Sequence, residues 1–254
     1  EKADISIGGD LRKTPEYSNR MKYIISLLDE LNIPWEVSTI DDDYFSPEYN
    51  GQIYFHNLIV KGGSNKYFTA HYDVRNIESQ NANDNSASII CLIALKALNP
   101  EINLGFLDSE EVPYMGDGGS KWYRQLLRSH LNDYKGKTNR EVDYILNLEL
   151  VGLGGKNIVI SDYHNDLSET IKKNFNPLVK RLPPNDAWSF KGRFDSVCMS
   201  TYPIISGEPN FEHFRKAHTL EDNLKSIRLD DMHEFVSEIL LPLTRVEMVR
   251  AVYS

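Results

Sequence analysis

The chain has 254 residues, 41% hydrophobic and 26% charged, an ordinary globular composition with room for one large α/β core. Its net charge of −9, from 28 Lys and Arg against 37 Asp and Glu, argues against a nucleic-acid partner and suits a divalent-cation site. The longest apolar run, 89–95, is too short to cross a bilayer, and no basic-then-apolar leader opens the chain, although the first residue, Glu1, allows a processed N-terminus.

Thr14-Pro15-Glu16 reads as a helix start, with Thr as cap and Pro in the first turn. The helix runs through Met21, Ile24, Ile25, Leu27, Leu28 and Leu31 until Asn32-Ile33-Pro34 stops it. Strand-like runs follow at 35–37, 52–60 and 67–72, with Lys61-Gly62-Gly63-Ser64-Asn65 as a hairpin-like turn between the last two. Residues 86–98 are apolar almost all round, which predicts a helix buried against a sheet. Further strands are expected at 104–107, 144–148, 158–160 and 202–205, and helices at 120–128, 167–175 and 231–249. The segment 176–192, rich in Pro, Trp and charge, reads as loop. Alternating strands and helices predict a three-layer α/β/α fold with a mixed, mostly parallel central sheet. No repeat or composition break divides the chain, so a single domain over 1–254 is expected. Cys91 and Cys198 sit among apolar residues and read as buried thiols, which fits a reducing compartment.

The most informative feature is Glu110-Glu111, two adjacent carboxylates just after an apolar strand. Like charges side by side are costly to desolvate; one can bind a metal while the other handles a proton. Glu111 is the expected ligand and Glu110 the expected general base. In Ala70-His71-Tyr72-Asp73, residues two apart on a strand share a face, so Asp73 can orient the His71 imidazole. Asp84, in Asn81-Ala82-Asn83-Asp84-Asn85, reads either as a bridging carboxylate or as the cap of the following helix. Glu149 stands in the apolar run Tyr144-Ile145-Leu146-Asn147-Leu148-Glu149-Leu150, where a charge is unfavourable unless it meets a cation or a base. His218 opens His218-Thr219-Leu220-Glu221-Asp222, whose other reading is a turn cap. His71, Glu110 and Glu149 fall at strand ends, where α/β sheets gather ligands. His56, His130, His164, His213 and His233 read as surface or packing residues.

In the order His-x-Asp, Asp-Asn, Glu-Glu, Glu, His-Thr-x-x-Asp, these motifs resemble the co-catalytic zinc aminopeptidases of the bacterial leucyl aminopeptidase family and their glutaminyl-cyclase relatives. The resemblance runs from Asn57 to the C-terminal helix. It implies a zinc-aminopeptidase-like fold and two zinc ions bridged by Asp84. His71 and Glu149 would complete one ion, and Glu111 and His218 the other, with Asp73 behind His71. The implied reaction is hydrolysis of the peptide bond next to a free N-terminus by a zinc-activated water, with Glu110 as base. The implied partner is a peptide with a free N-terminus, with neither nucleic acid nor membrane.

The chain departs from the family pattern at three places. Glu149 stands where Asp is frequent, and Val112-Pro113-Tyr114-Met115 replaces a Gly-Leu after the Glu pair. Phe194-Asp195-Ser196 is the candidate for the family's Ser-Asp-His-like segment. Tyr114, Trp188 and Phe190 are candidates for lining the substrate pocket. Two other readings stand beside the aminopeptidase: a single-zinc acyltransferase like glutaminyl cyclase, and a non-catalytic binding domain on the same fold.

Overall fold

The computed structural model describes residues 16–45, 50–74, 78–108, 110–111, 141–182, 186–190 and 193–249. Helix α1, Asn19–Glu30, begins later than expected: the Ser18 hydroxyl accepts from the Met21 amide at 3.1 Å and caps it. Thr14 and Pro15 lie outside the described residues. The buried face of α1 is Met21, Ile24 and Leu28, the i, i+3, i+7 stripe of a helix lying on a core.

Eight strands form one sheet: β1 (Glu36–Phe45), β2 (Asn50–Val60), β3 (Lys66–His71), β4 (Asn103–Leu107), β5 (Tyr144–Leu148), β6 (Ile158–Ile160), β7 (Leu178–Val179) and β8 (Ser196–Thr201). Their order is β1-β2-β4-β3-β5-β8-β6-β7. The centre, β4-β3-β5-β8, is parallel; β2 joins β4 antiparallel and β6 joins β8 antiparallel. The sheet is therefore mixed and mostly parallel, as expected. A separate two-stranded hairpin, β9 (Ile204–Ile205) and β10 (Glu208–Pro209), takes the C-terminal half of the predicted 202–205 strand.

The hairpin expected across 61–65 does not form, because β4 inserts between β2 and β3. The Lys96 ammonium donates to the carbonyls of Lys61, Pro100 and Ile102 at 2.7, 2.6 and 2.8 Å, binding the 61–65 turn to the chain that enters β4. The Gly62 amide donates to Asn103 Oδ1 at 2.9 Å. A Cβ at Gly62 would lie 2.3 Å from the Glu101 and Ile102 carbonyl oxygens, so this approach requires glycine.

Helices α2 (Ala87–Leu98), α3 (Asp166–Phe175), α4 (Ala187–Phe190) and α5 (Leu229–Phe235) complete the layers. The chain of α5 continues through a π-turn at Val236–Leu240 to Leu241–Leu243. Side chains alternate across the sheet as the pleat requires. On β5, Tyr144, Leu146 and Leu148 join α1, α2, α3 and α5 in the main core. Ile145 points to the other face and packs with Leu107, Val142, Phe190 and Phe194. Phe190, expected to line a pocket, is thus fully buried core. Cys91 and Cys198 are buried free thiols. Among the described residues no helix is long and apolar enough to cross a membrane. The predicted helix at 120–128, with His130, Tyr114 and the rest of 112–115, lies outside the described residues.

Candidate metal centre

The centre forms at the carboxyl ends of the parallel strands, the edge at which open α/β sheets bind ligands. His71 is the last residue of β3, Glu149 follows β5 directly, and Glu110-Glu111 lie just past β4. Asp84 comes from the loop before α2, and His218 from a turn in which it holds a left-handed φ of 63°. The cap reading of Asp84 is not realised: Ser86 occupies that position, and the Asp84 carboxylate faces the imidazoles.

His71 Nε2 lies 3.1 Å from Asp84 Oδ1 and 3.3 Å from Glu149 Oε2. His218 Nε2 lies 3.1 Å from Asp84 Oδ2 and 2.7 Å from Glu111 Oε1. The structure therefore brings together all five expected ligands. Donor atoms of His71, Asp84 and Glu111 all fall within 4.8 Å of one another.

Around these five stands a ring of supporting groups. Asp73 lies 3.4 Å from His71 Nδ1, and its carboxylate also accepts from the Glu110 and Glu111 amides at 3.3 and 2.7 Å. The Asn85 side-chain amide donates to Glu149 Oε2 at 3.0 Å and that of Asn147 to Glu149 Oε1 at 3.1 Å. Thr69 in turn fixes Asn147, donating to its Oδ1 at 2.9 Å. Asp222 accepts from the Asn83 and Asp84 amides. Asn83 accepts from the Gly152 amide and ties the Asp84 loop to the chain after β5.

The electrostatics are those of a desolvated acid cluster. Burial alone would raise the Asp84 carboxyl, but hydrogen bonding to His218 and His71 overrides it and holds Asp84 well below the usual range. Burial pushes Glu111 up to about 7, against the opposing bond from His218. Burial and the neighbouring charge of Glu111 hold Glu110 well above the ordinary carboxyl value. His218 is raised to about 10 by its bonds to Asp84 and Glu111. His71 is raised as well, because Glu149, Asp73 and Asp84 overcome its burial.

One acid was missed from sequence. Asp186, at the head of α4, is fully buried, and burial raises its carboxyl far above the normal range. It is near enough to feel His71, Glu149, Asp73 and Glu111, and its charge is felt by Glu110. It lies in the stretch read as loop; an acid beside the apolar Ala187-Trp188-Ser189-Phe190 was the available signal. Phe194-Asp195-Ser196 does not fill the place proposed for it. Ser196 pairs with Ile145 at the amino end of β8, and the Ile145 amide donates to the Asp195 carbonyl. That is the opposite end of the sheet from Glu149.

Carboxylates and imidazoles are the donors that zinc accepts, and the surplus of acids over bases is what a dication would neutralise. An α/β sheet with this donor set at its carboxyl edge defines a metallopeptidase-type fold. A model of peptidase family M28 matches residues 57–241, and the chain belongs to that family. No curated protein matches the chain by sequence. Among solved structures, the Porphyromonas gingivalis glutaminyl cyclase has a TM-score of 0.67 at 15% identity, over 89% of this chain and 88% of that one. A Zn-dependent exopeptidase from Parabacteroides distasonis has a TM-score of 0.61 at 14% identity, over 92% and 91%. BSAP, a zinc aminopeptidase from Bacillus subtilis, has a TM-score of 0.56 at 16% identity, over 76% and 51%. At these identities the likeness is one of fold.

Proposed function

We propose that this chain is a two-zinc aminopeptidase that hydrolyses the peptide bond next to a free amino terminus. When bound, the two zinc ions would polarise the scissile carbonyl and activate the attacking water. His71 and Glu149 would hold one ion, Glu111 and His218 the other, and Asp84 would serve both. One observation carries this reading: the two oxygens of Asp84 divide between the imidazoles, Oδ1 at 3.1 Å from His71 and Oδ2 at 3.1 Å from His218.

Glu110 is the proposed general base. Its raised carboxyl, a consequence of burial and of Glu111, lets it take a proton from the nucleophile and return it to the departing amine. Asp73 acts through others, orienting His71 and holding the backbone of the Glu pair.

A glutaminyl-cyclase-like, single-zinc acyltransferase is the second reading. It is favoured by Glu149, whose two oxygens already accept the amides of Asn85 and Asn147, as in an acid held by hydrogen bonds rather than by a metal.

Metal analysis combined with an aminoacyl-amide panel, with and without chelator, tests both. The aminopeptidase requires two zinc ions per chain and chelator-sensitive amide cleavage. A single zinc ion with cyclisation of amino-terminal Gln selects the second reading. Glu110→Gln is expected to keep its zinc and lose about 10²–10⁴-fold in kcat. Full activity in that variant removes Glu110 from the mechanism.

A further inference from the structure

We propose that Asp222 is a positioning residue that clasps the backbone of Asp84 and so holds Asp84 and His218 as one prebuilt half of the metal centre. The inference rests on reading Asp84 and His218 as ligands. Asp222 is 1% exposed, and its carboxylate is aimed at the backbone of the Asp84 loop. Oδ1 accepts from the Asn83 amide at 2.7 Å, and Oδ2 from the Asp84 amide at 2.9 Å.

Asp84 has φ −109° and ψ 87°, outside the helical region, so no helix ladder organises the backbone there. A buried amide left without an acceptor is strongly unfavourable, and Asp222 supplies acceptors for two in succession. Further bonds lace the two segments together. Ser79 Oγ donates to the carbonyls of Thr219 and Asp222 at 2.8 and 3.1 Å. The Leu224 amide donates to Gln80 Oε1 at 2.9 Å, and within the His218 segment itself Ser226 Oγ donates to Asp222 Oδ1 at 3.2 Å, steadying that carboxylate. His218, four residues before Asp222, is thereby presented to Asp84 Oδ2 at 3.1 Å.

The same device occurs a second time. Asp73, two residues after His71, accepts from the Glu110 and Glu111 amides. In each case the segment that carries an imidazole also carries an acid, and that acid grips the backbone of a carboxylate ligand together with the residue before it. Ligand spacing is thus set by backbone clasps before any ion arrives, which lowers the ordering cost of binding.

The test is zinc affinity, measured by chelator competition on the full chain with zinc alone, together with the visible spectrum of the cobalt(II)-loaded protein. Asp222→Asn keeps one accepting oxygen and is expected to bind zinc about 10–100-fold more weakly, with an altered cobalt spectrum. Asp222→Ala should lose more. Ser79→Ala, which loosens the same strap without touching a carboxylate, should shift affinity in the same direction by less. Lys96→Met is the control for destabilisation alone: its unfolding midpoint falls while its zinc affinity and cobalt spectrum stay those of the wild type. Wild-type affinity and spectrum in Asp222→Asn would overturn the proposal. A wild-type chain that binds no zinc would instead overturn the ligand reading on which it stands.

Discussion

Burial penalises a charged group whatever its sign, and the histidines of this chain show two outcomes of that rule. His218 and His71 meet carboxylates and are raised. His213 meets a carbonyl and an aromatic ring. Its Nε2 donates to the Thr201 carbonyl at 3.1 Å, and its ring packs edge-on against Phe214 at 4.5 Å. Burial then pushes it from 6.5 down to about 4, so it is a neutral packing residue, as read from sequence. The sign of its pH dependence follows from linkage. Between those two values the unfolded chain binds more protons than the folded one, so stability present at neutral pH is lost as pH falls. From about pH 7.5 to about pH 5 the loss attributable to His213 should be about 2 kcal/mol. Urea unfolding of wild type and His213→Gln at both pH values measures it, since the variant lacks that component. Equal pH slopes would show that His213 contributes nothing.

At the scale of elements, the decisive event is the entry of β4 between β2 and β3. Lys96 holds it from α2 by giving its ammonium to three carbonyls, two of them on the approach to β4. Lys96→Met keeps the apolar stem but leaves those carbonyls short of a donor, at a cost of about 2–3 kcal/mol. Thermal unfolding of the variant reads this as a lower midpoint, and an unchanged midpoint would mean that the three carbonyls find other partners. The helix α2 was legible because it is apolar nearly all round. Strand β8 was not: Ser196, Ser200 and Thr201 dilute its apolar character, although all six of its residues are buried. Its polar side chains are tolerated because they find partners in the folded chain, as when Ser196 Oγ donates to the Ala187 carbonyl.

For the whole molecule, the centre joins elements remote in sequence: β3, the chain after β4 and β5, the loop before α2 and the His218 turn. An ion held there binds the folded state alone and stabilises it by mass action. At a free zinc concentration about 100-fold above Kd, each ion should add about 2.7 kcal/mol. Chelation should therefore lower the unfolding midpoint, and returning zinc should restore it. A midpoint indifferent to chelator and to added zinc would argue that these donors hold no metal.

Read alone, the sequence determined the α/β class, the buried helix α2, the strands at 144–148 and 158–160, and the five candidate ligands. The fold features are local apolar periodicity, and Glu111 and Glu149 stand out as charges beside or within apolar runs; His71, Asp84 and His218 were singled out by the motif order that resembles the zinc aminopeptidases. Only the tertiary structure decided the strand order, the place of Asp186, and what Asp73 and Asp222 hold. Asp222 reads locally as a turn cap, yet its carboxylate bonds an amide 139 residues away. Such contacts follow from how the sheet is threaded, and no local spacing records that.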